Sequence, residues 1–267
     1  MKKGACVSVL MVTAMLASAE AQSPPSNLEG MWSDPVPTAA DQFCSFLCTE
    51  AGLERLNALL DDPANDARPY DELAREARAH DREYLRLRLS DAALETYPLD
   101  NADDPGFLRC EPWGLARQMF VPHQLEIRRR GKDRIELHYG EWDARRIVYM
   151  DGSRRPANQP PARMGYSTGR WEGDTLVIES SGIAANIAPW PQILAFSASH
   201  SDQLRIGERY SRSKDGKLRL TATIEDPWGL KEPLVLKKVW RWAPESRIAP
   251  YKDCHPATEF SKGLNRR

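Results

Sequence analysis

The sequence predicts a mainly β protein of the α+β class, with an antiparallel eight-stranded, lipocalin-like barrel behind a small N-terminal helical cap. From Gly106 onward, apolar and polar residues alternate with the period of a β-strand. Turn signals such as Gly131-Lys132 and Asp215-Gly216 separate most of these segments at hairpin spacing. Before Gly106 the apolar residues recur at helical spacing instead, which places the helices ahead of the barrel.

The first residues have the three parts of a secretory signal peptide. Lys2 and Lys3 precede a short apolar run, and Ala19-Glu20-Ala21 fits the small-x-small rule for cleavage after Ala21. The apolar run is too short to span a membrane. We therefore expect residues 1–21 to be removed and the protein to be periplasmic or secreted, with no membrane span.

Residues 22–104 are predicted to form a lead-in segment and the helical cap. The lead-in, up to Pro37, is polar and rich in proline. Thr38 and Thr49 stand where N-caps are expected, each just before a segment with helical periodicity. The longest helical pattern runs from Tyr70 to Tyr97.

Residues 105–254 are predicted to form the barrel, followed by a tail at residues 255–267. Eight segments have strand periodicity: residues 124–130, 134–139, 144–150, 164–172, 175–179, 204–212, 218–224 and 234–242. Short turns join most of them, whereas the connection from Ser180 to Gln203 is long. A connection of that length in a compact domain usually carries function.

Charge and cysteine content limit the classes of partner. The chain has 37 basic and 38 acidic residues, a balance that argues against a nucleic-acid partner. Cys44, Cys48, Cys110 and Cys254 remain after the signal peptide, and export makes disulfides their expected state. We favour Cys44 with Cys48 and Cys110 with Cys254. A metal site that adds His255 is the alternative, but its spacing is not typical of zinc, so we predict no metal and no cofactor.

One stretch resembles a known signature. It reads Gly165-Tyr166-Ser167-Thr168-Gly169-Arg170-Trp171-Glu172-Gly173-Asp174-Thr175-Leu176-Val177. Together with Arg145–Gly152 and Thr223–Pro227, it is similar to a family of exported bacterial β-rich proteins. The resemblance covers roughly residues 105–254 and implies the fold, but it assigns no catalytic residues. Tyr166 stands where the family pattern has His, so no role that needs an imidazole is expected there.

Side-chain parity places a carboxylate on an apolar strand face. Glu208 alternates with Ile206 and Tyr210 on the same side of its strand, which we expect to face the barrel interior. A carboxylate in an apolar interior must be paired or become neutral. One interpretation pairs Glu208 with an inward-facing arginine such as Arg146. The other makes Glu208 a general acid or base in a cavity.

Among the remaining candidates, His123 at a strand start and His200 in the long connection are the histidines expected at the mouth of a cavity. Tyr166 and His123 join Glu208 as candidate catalytic residues. The candidate ligand-binding residues are Arg146, Tyr149, Trp171, Trp190, His200 and Tyr210. Aromatic residues lining a pocket would suit a flat or apolar organic molecule.

Three functions are consistent with this sequence. The first is an exported protein that binds a small aromatic or apolar molecule inside the barrel. The second is an acid–base enzyme acting on such a molecule in the same pocket. The third is an envelope interaction protein with a packed core and no ligand.

Overall fold

The structure, a computed structural model, describes residues 28–34, 38–95, 110–185 and 200–249. The helices in these ranges are α1 (Ala39–Cys44), α2 (Glu50–Leu60), α3 (Tyr70–Arg88), α4 (Asp91–Glu95) and α5 (Leu115–Gln118). The strands are β1 (Gly30–Ser33), β2 (Leu125–Arg129), β3 (Arg134–Tyr139), β4 (Arg145–Tyr149), β5 (Tyr166–Glu172), β6 (Thr175–Ser181), β7 (Arg205–Arg212), β8 (Leu218–Glu225) and β9 (Leu234–Trp242).

The strands form one closed barrel in chain order, with β9 paired to β1. Every neighbouring pair is antiparallel except β4 and β5, which are parallel. The prediction of eight antiparallel strands is therefore wrong in number and, at one pair, in direction. A closed ring of nine strands cannot alternate direction all the way round, so one pair must be parallel. A parallel pair also needs a crossover connection, which residues 150–165 supply.

All eight predicted strands are present, and the ninth is β1, which lies in the predicted lead-in. Met31 pairs with Glu126 of β2, and Trp32 pairs with Trp242 of β9. Trp32 is completely buried. Four residues are too few to show a period in the sequence, so only pairing with the two neighbouring strands reveals this strand.

The signature stretch forms the β5–β6 hairpin, as its alternation predicts. Gly173 has a φ of 59° at the turn, a conformation that glycine adopts without strain. Gly169 lies where β4 approaches most closely, because an added Cβ would lie 2.7 Å from Cγ1 of Val148. These two glycines therefore allow the tight turn and the close contact across the parallel pair.

The helical cap covers the flank of the barrel. Thr38 and Thr49 are the N-caps of α1 and α2, as predicted, and accept hydrogen bonds from the amides of Asp41 and Gly52. Apolar residues of α1, α2 and α3 surround the outward-facing Val239 of β9 in a second, smaller core. The wall that carries β5, β6 and β7 has no packed helix among the described elements.

The Cys44–Cys48 disulfide is confirmed, with the two Cα atoms 4.9 Å apart. Cys110 is also disulfide-bonded. Its predicted partner, Cys254, lies outside the described residues, as do the predicted signal peptide and the C-terminal tail.

Side chains pack the barrel interior. The main core consists of the inward-facing apolar residues of the strands, joined by Leu115, Met119 and Phe120 from α5 and the turn after it. These residues close one end of the barrel. In the part of the chain that is described, no helix is both long and apolar enough to cross a bilayer.

Candidate functional site

The barrel interior contains a cluster of hydrogen-bonded polar side chains. We call it the interior polar cluster, and it consists of Tyr139, Arg146, Ser167, Ser180, Glu208 and Tyr210. Arg146 of β4 and Glu208 of β7 form a two-pronged ion pair with N–O distances of 2.6 and 2.8 Å. Arg146 is 3% exposed and Glu208 is 0% exposed. The predicted pairing of Glu208 with Arg146 is confirmed.

Hydroxyl groups complete the cluster. Arg146 donates to the Tyr139 hydroxyl at 2.9 Å, and the Tyr210 hydroxyl donates to Glu208 at 2.9 Å. Arg146 also donates to Ser180 Oγ at 3.2 Å, and Ser180 is hydrogen-bonded to Ser167 at 2.8 Å. A buried ion pair needs such additional hydrogen bonds to offset its loss of hydration.

Three groups of the cluster, Tyr139, Arg146 and Tyr210, have pKa values raised above their usual ranges. Burial raises the pKa of Tyr139 to about 12. Burial, together with the adjacent Glu208 carboxylate, raises the pKa of Tyr210 well above its usual range. Burial alone would lower the pKa of Arg146, but the Glu208 carboxylate more than offsets this and raises it. These three groups are therefore poorly suited to exchange protons at neutral pH. The catalytic role of Glu208 stays a prediction.

A cleft of about 710 Å³ lies on the outer face of the barrel wall, and we call it the main cleft. Strands β5 to β8 form its floor, and residues 153–155 of the β4–β5 connection form one side. Its lining residues are Ser153, Arg154, Arg155, Tyr166, Thr168, Glu179, Ser180, Ser181, Arg205, Ile206, Gly207, Thr223 and Glu225. Eight of its ten strand residues have the parity opposite to the interior polar cluster, so the wall lies between the two sites, and Ser180 belongs to both.

Three arginines of the main cleft have no carboxylate partner. Among the described residues, the side chains of Arg154 and Arg205 form neither a hydrogen bond nor an ion pair, although Glu225 lies opposite Arg205 across the β7–β8 pair. Arg155 donates from Nη2 to the carbonyl of Gln159, while its buried Nε has no hydrogen-bond partner there. Of the two acidic lining residues, Glu179 is paired with Arg170, 3.1 Å away. The cleft therefore presents cationic donors that are not already occupied.

Gly207 keeps the floor of the main cleft open. It faces outward on β7, and a Cβ added there would meet only the carbonyl oxygen of Thr223, 3.9 Å away. Most side chains at this position would project into the cleft without a clash in the wall. The sequence offered no signal for this role, because a glycine inside a strand has several common explanations.

Two tyrosines predicted as site residues border the main cleft. Tyr166 is one of its lining residues, and its hydroxyl is hydrogen-bonded to Ser153 at 3.1 Å. The ring of Tyr166 is stacked on the ring of Tyr149, with centroids 4.8 Å apart. The signature residues thus divide by parity: Tyr166 and Thr168 face the cleft, and Ser167 belongs to the interior polar cluster.

A second, smaller cleft of about 270 Å³ lies at the barrel end where β2 ends and β3 begins. Its lining residues are Arg129, Lys132, Arg134, Ile135, Met150, Arg170 and Trp171. Trp171 was predicted to bind a ligand and is 38% exposed here. Four of these described lining residues are cationic and none is acidic.

The opposite end of the barrel holds two buried charged groups. Lys238 of β9 is 1% exposed and donates to the carbonyl of Val121. Asp34 follows β1, and neither of its carboxylate oxygens has a hydrogen bond among the described residues. Burial raises the pKa of Asp34 to about 6, although Lys238 opposes this. Burial lowers the pKa of Lys238 to about 8, although Asp34 and Glu141 oppose this.

The structure separates the remaining candidates. His123 is exposed, with Nε2 3.7 Å from a carboxylate oxygen of Glu141. His200 is buried just before β7, and this burial lowers its pKa. Trp190 lies outside the described residues. Arg146, Glu208 and Tyr210 come together in the interior, whereas Tyr149 and Tyr166 lie on the outer surface. Trp171 has inward parity and lies at the rim of the barrel end, in the second cleft.

The sequence did not lead us to predict the arginine and lysine residues that line the two clefts. Arg205 has the parity opposite to Glu208 on the same strand, so a search of the outward face of β7 would have found it. Arg154 and Arg155 lie in the crossover connection, which has no period. Asp34 and Lys238 were also missed, and the inward parity of Lys238 with Leu236 and Trp240 was the available signal.

Comparisons with known proteins assign no family. No protein-family model matches the chain, and no curated protein matches it. A crystal structure of a mutant of the fluorescent protein UnaG is similar over 59% of this chain and 94% of its own, with 15% identity and a TM-score of 0.29. A similarity this low supports no inference about ligand or activity. The described residues contain no group of three or more His, Cys, Asp or Glu side chains that could hold a metal ion.

Proposed function

We propose that this protein binds a small hydroxylated carboxylate, such as a sugar acid, in the main cleft. The observation that carries the proposal is the set of arginines, Arg154, Arg155 and Arg205, with no carboxylate partner among the described residues. Arginine recognises carboxylates through paired N–H donors, and such charge-assisted hydrogen bonds are strong. A concave site with unoccupied donors is suited to an anionic ligand.

The other lining groups favour a ligand that also carries hydroxyls. Ser153, Thr168, Ser181 and Thr223 supply hydroxyl groups, and the ring and hydroxyl of Tyr166 lie beside them. Hydroxyl side chains both donate and accept, so they match the hydroxyl groups of a sugar. The aromatic or apolar ligand expected from the sequence would find few apolar partners in this lining.

Export remains part of the proposal. The Cys44–Cys48 disulfide supports folding in an oxidising compartment such as the periplasm or the cell exterior. We also propose membership of the exported β-rich family on the strength of the signature. The two faces of its hairpin line the main cleft and complete the interior polar cluster, which gives the motif a physical role on both sides of the wall.

Isothermal titration calorimetry with galacturonate as the probe tests the proposal. We expect wild-type protein to bind galacturonate and not the neutral sugar galactose. Arg205→Gln should weaken binding by about tenfold or more, because it removes a charge-assisted hydrogen bond. Gly207→Val should abolish binding by filling the floor of the cleft, while the branched residue suits a strand.

Arg209→Gln is the matched control, since Arg209 faces outward on the same strand but outside the cleft and pairs with Glu172. It should bind galacturonate like wild type. If Arg205→Gln and Gly207→Val both bind with wild-type affinity, the main cleft is not the site.

The acid–base enzyme is the second candidate function. It is favoured by Asp34 and Lys238, which lie outside both clefts: the Asp34 carboxylate oxygens are buried without a hydrogen bond among the described residues, and burial raises the pKa of Asp34 to about 6 and lowers that of Lys238 to about 8. Proton NMR of galacturonate incubated with the protein would show new signals if the sugar acid were turned over. An unchanged spectrum, together with measurable binding, would assign the cleft to binding alone.

A further inference from the structure

We propose that the ligand of the main cleft is one end of an acidic oligosaccharide, and that the same chain continues across the β4–β5 pair into the second cleft. This inference rests on the proposed function and names its ligand class. The second cleft lies at the barrel rim and the main cleft on the adjoining outer wall, and both contain cationic side chains that form no ion pair among the described residues.

The second cleft has the groups that an acidic sugar needs. Lys132 and Arg134 form no ion pair within the described ranges, although Asp151 lies close enough to Arg134 for an electrostatic interaction. Trp171 borders them with 38% of its surface exposed. The apolar face of a sugar ring packs on the negative face of an indole ring, and the cations can bind its carboxylate.

The path between the clefts is short. Tyr149 pairs in register with Arg134 of the second cleft on one side and with Thr168 of the main cleft on the other. Two inter-strand spacings separate Arg134 from Thr168, a distance of about 10 Å. The Arg134 guanidinium lies 5.4 Å from the centre of the Tyr149 ring, which is itself stacked on Tyr166.

An ion pair also links one residue of each cleft. Arg170 of the second cleft is bonded to Glu179 of the main cleft at 3.1 Å. From the barrel rim, where Trp171 has inward parity, to Arg205 on the outer wall, aromatic rings and cations thus lie near one another. A chain of acidic sugars has the complementary alternation of ring faces and carboxylates, which a single small anion lacks.

The charge balance of the protein favours this class over a nucleic acid. The whole chain has 37 basic and 38 acidic residues, so the cationic surface is local. Binding single-stranded nucleic acid without sequence preference typically uses successive aromatic platforms along a cationic groove. Here Trp171 is the exposed aromatic residue of the second cleft, and Tyr149 and Tyr166 are stacked on each other.

Calorimetry with galacturonate and with a galacturonate oligomer of defined length tests the inference. We expect the oligomer to bind at least about tenfold more tightly than the monomer, because its second contact forms within one complex. Trp171→Ala and Arg134→Gln should remove that gain and leave the affinity for the monomer unchanged. Trp228→Ala is the matched control, since Trp228 is 37% exposed outside both clefts, and it should behave as wild type.

The outcomes separate the two proposals. If Arg205→Gln weakens both ligands but Trp171→Ala weakens neither, the ligand is confined to the main cleft and the inference is overturned. If Arg205→Gln weakens neither ligand, the proposed function itself is overturned, and the inference with it. If a neutral galactose oligomer binds as tightly as the galacturonate oligomer, the inference that the ligand is acidic is overturned. If polyphosphate binds as tightly as the galacturonate oligomer, the inference that the ligand is a sugar is overturned.

Discussion

The interior polar cluster and the main cleft lie on opposite faces of one barrel wall. The charged side chains of the cluster are paired with each other, whereas the arginines of the cleft have no carboxylate partner among the described residues. On β7, Glu208 faces inward to a two-pronged ion pair with Arg146, whereas Arg205 faces outward with no carboxylate partner among the described residues. A charge buried in the interior must be paired, because it has lost its hydration. A charge at the surface keeps its hydration and can stay unpaired until a ligand arrives. We therefore expect the interior cluster to stabilise the fold and propose that a ligand binds in the cleft.

The largest expected effect comes from breaking the interior ion pair. Glu208→Gln leaves the Arg146 guanidinium buried without a countercharge, which we expect to lower the free energy of unfolding by about 3–5 kcal/mol. Urea denaturation of the two proteins measures the difference. Glu172→Gln is the control, because Glu172 pairs with Arg170 and Arg209 at the surface, and its loss should lower stability far less than Glu208→Gln does.

A double variant sharpens this result. Arg146→Met combined with Glu208→Leu removes both charges and should recover much of the lost stability. A Glu208→Gln protein as stable as wild type would contradict the structural role of the interior cluster.

An intermediate effect is expected from Lys238, through pH. Burial holds the pKa of Lys238 at about 8 in the folded state, against 10.5 as its usual value. Between these values the unfolded chain binds more protons than the folded one, so stability rises as pH increases from about 8 to 10.5. The rise amounts to roughly 3 kcal/mol at about 1.4 kcal/mol per pKa unit. Lys238→Met should lack this rise when unfolding is measured across that range.

Lys237→Met is the control for the pH experiment, since Lys237 lies next in the chain but faces outward to Glu50. The stability of this variant should rise with pH between about 8 and 10.5 as much as that of the wild type does. Asp34 acts in the other direction: its folded pKa of about 6 lies above the usual 3.8, so its contribution to stability is lost as pH rises through about 6. A Lys238→Met protein with the full wild-type rise would place the titrating group elsewhere.

The smallest effect on stability is expected in the main cleft. Arg205→Gln removes an exposed side chain with no partner among the described residues, so the free energy of unfolding should change by less than about 0.5 kcal/mol. Thermal unfolding without a ligand measures this. A loss of several kcal/mol would mean that Arg205 supports the wall, and the contrast between the two faces would disappear.

Local patterns in the sequence were sufficient for much of the fold. Alternation predicted all eight strands from β2 to β9, because a strand with one buried face repeats every two residues. Thr38 and Thr49 were identified as N-caps, because a hydroxyl before a helix satisfies free amides. The Cys44–Cys48 disulfide followed from export and spacing. The parity of Glu208 predicted its burial, and one of the two interpretations left open, pairing with an arginine such as Arg146, is confirmed.

The tertiary structure decided what no local pattern contains. Trp32 belongs to a strand only because β2 and β9 pair with it, and that ninth strand forces the parallel pair of β4 and β5. The crossover at residues 150–165 then carries Arg154 and Arg155 to the outer wall, beside Arg205. The position of a cleft depends on distances between residues that are far apart in the chain. The alternation of apolar and polar residues in a strand depends only on residues that are adjacent in the sequence. The sequence therefore determined the strands and their faces, and barrel closure determined where a ligand can bind.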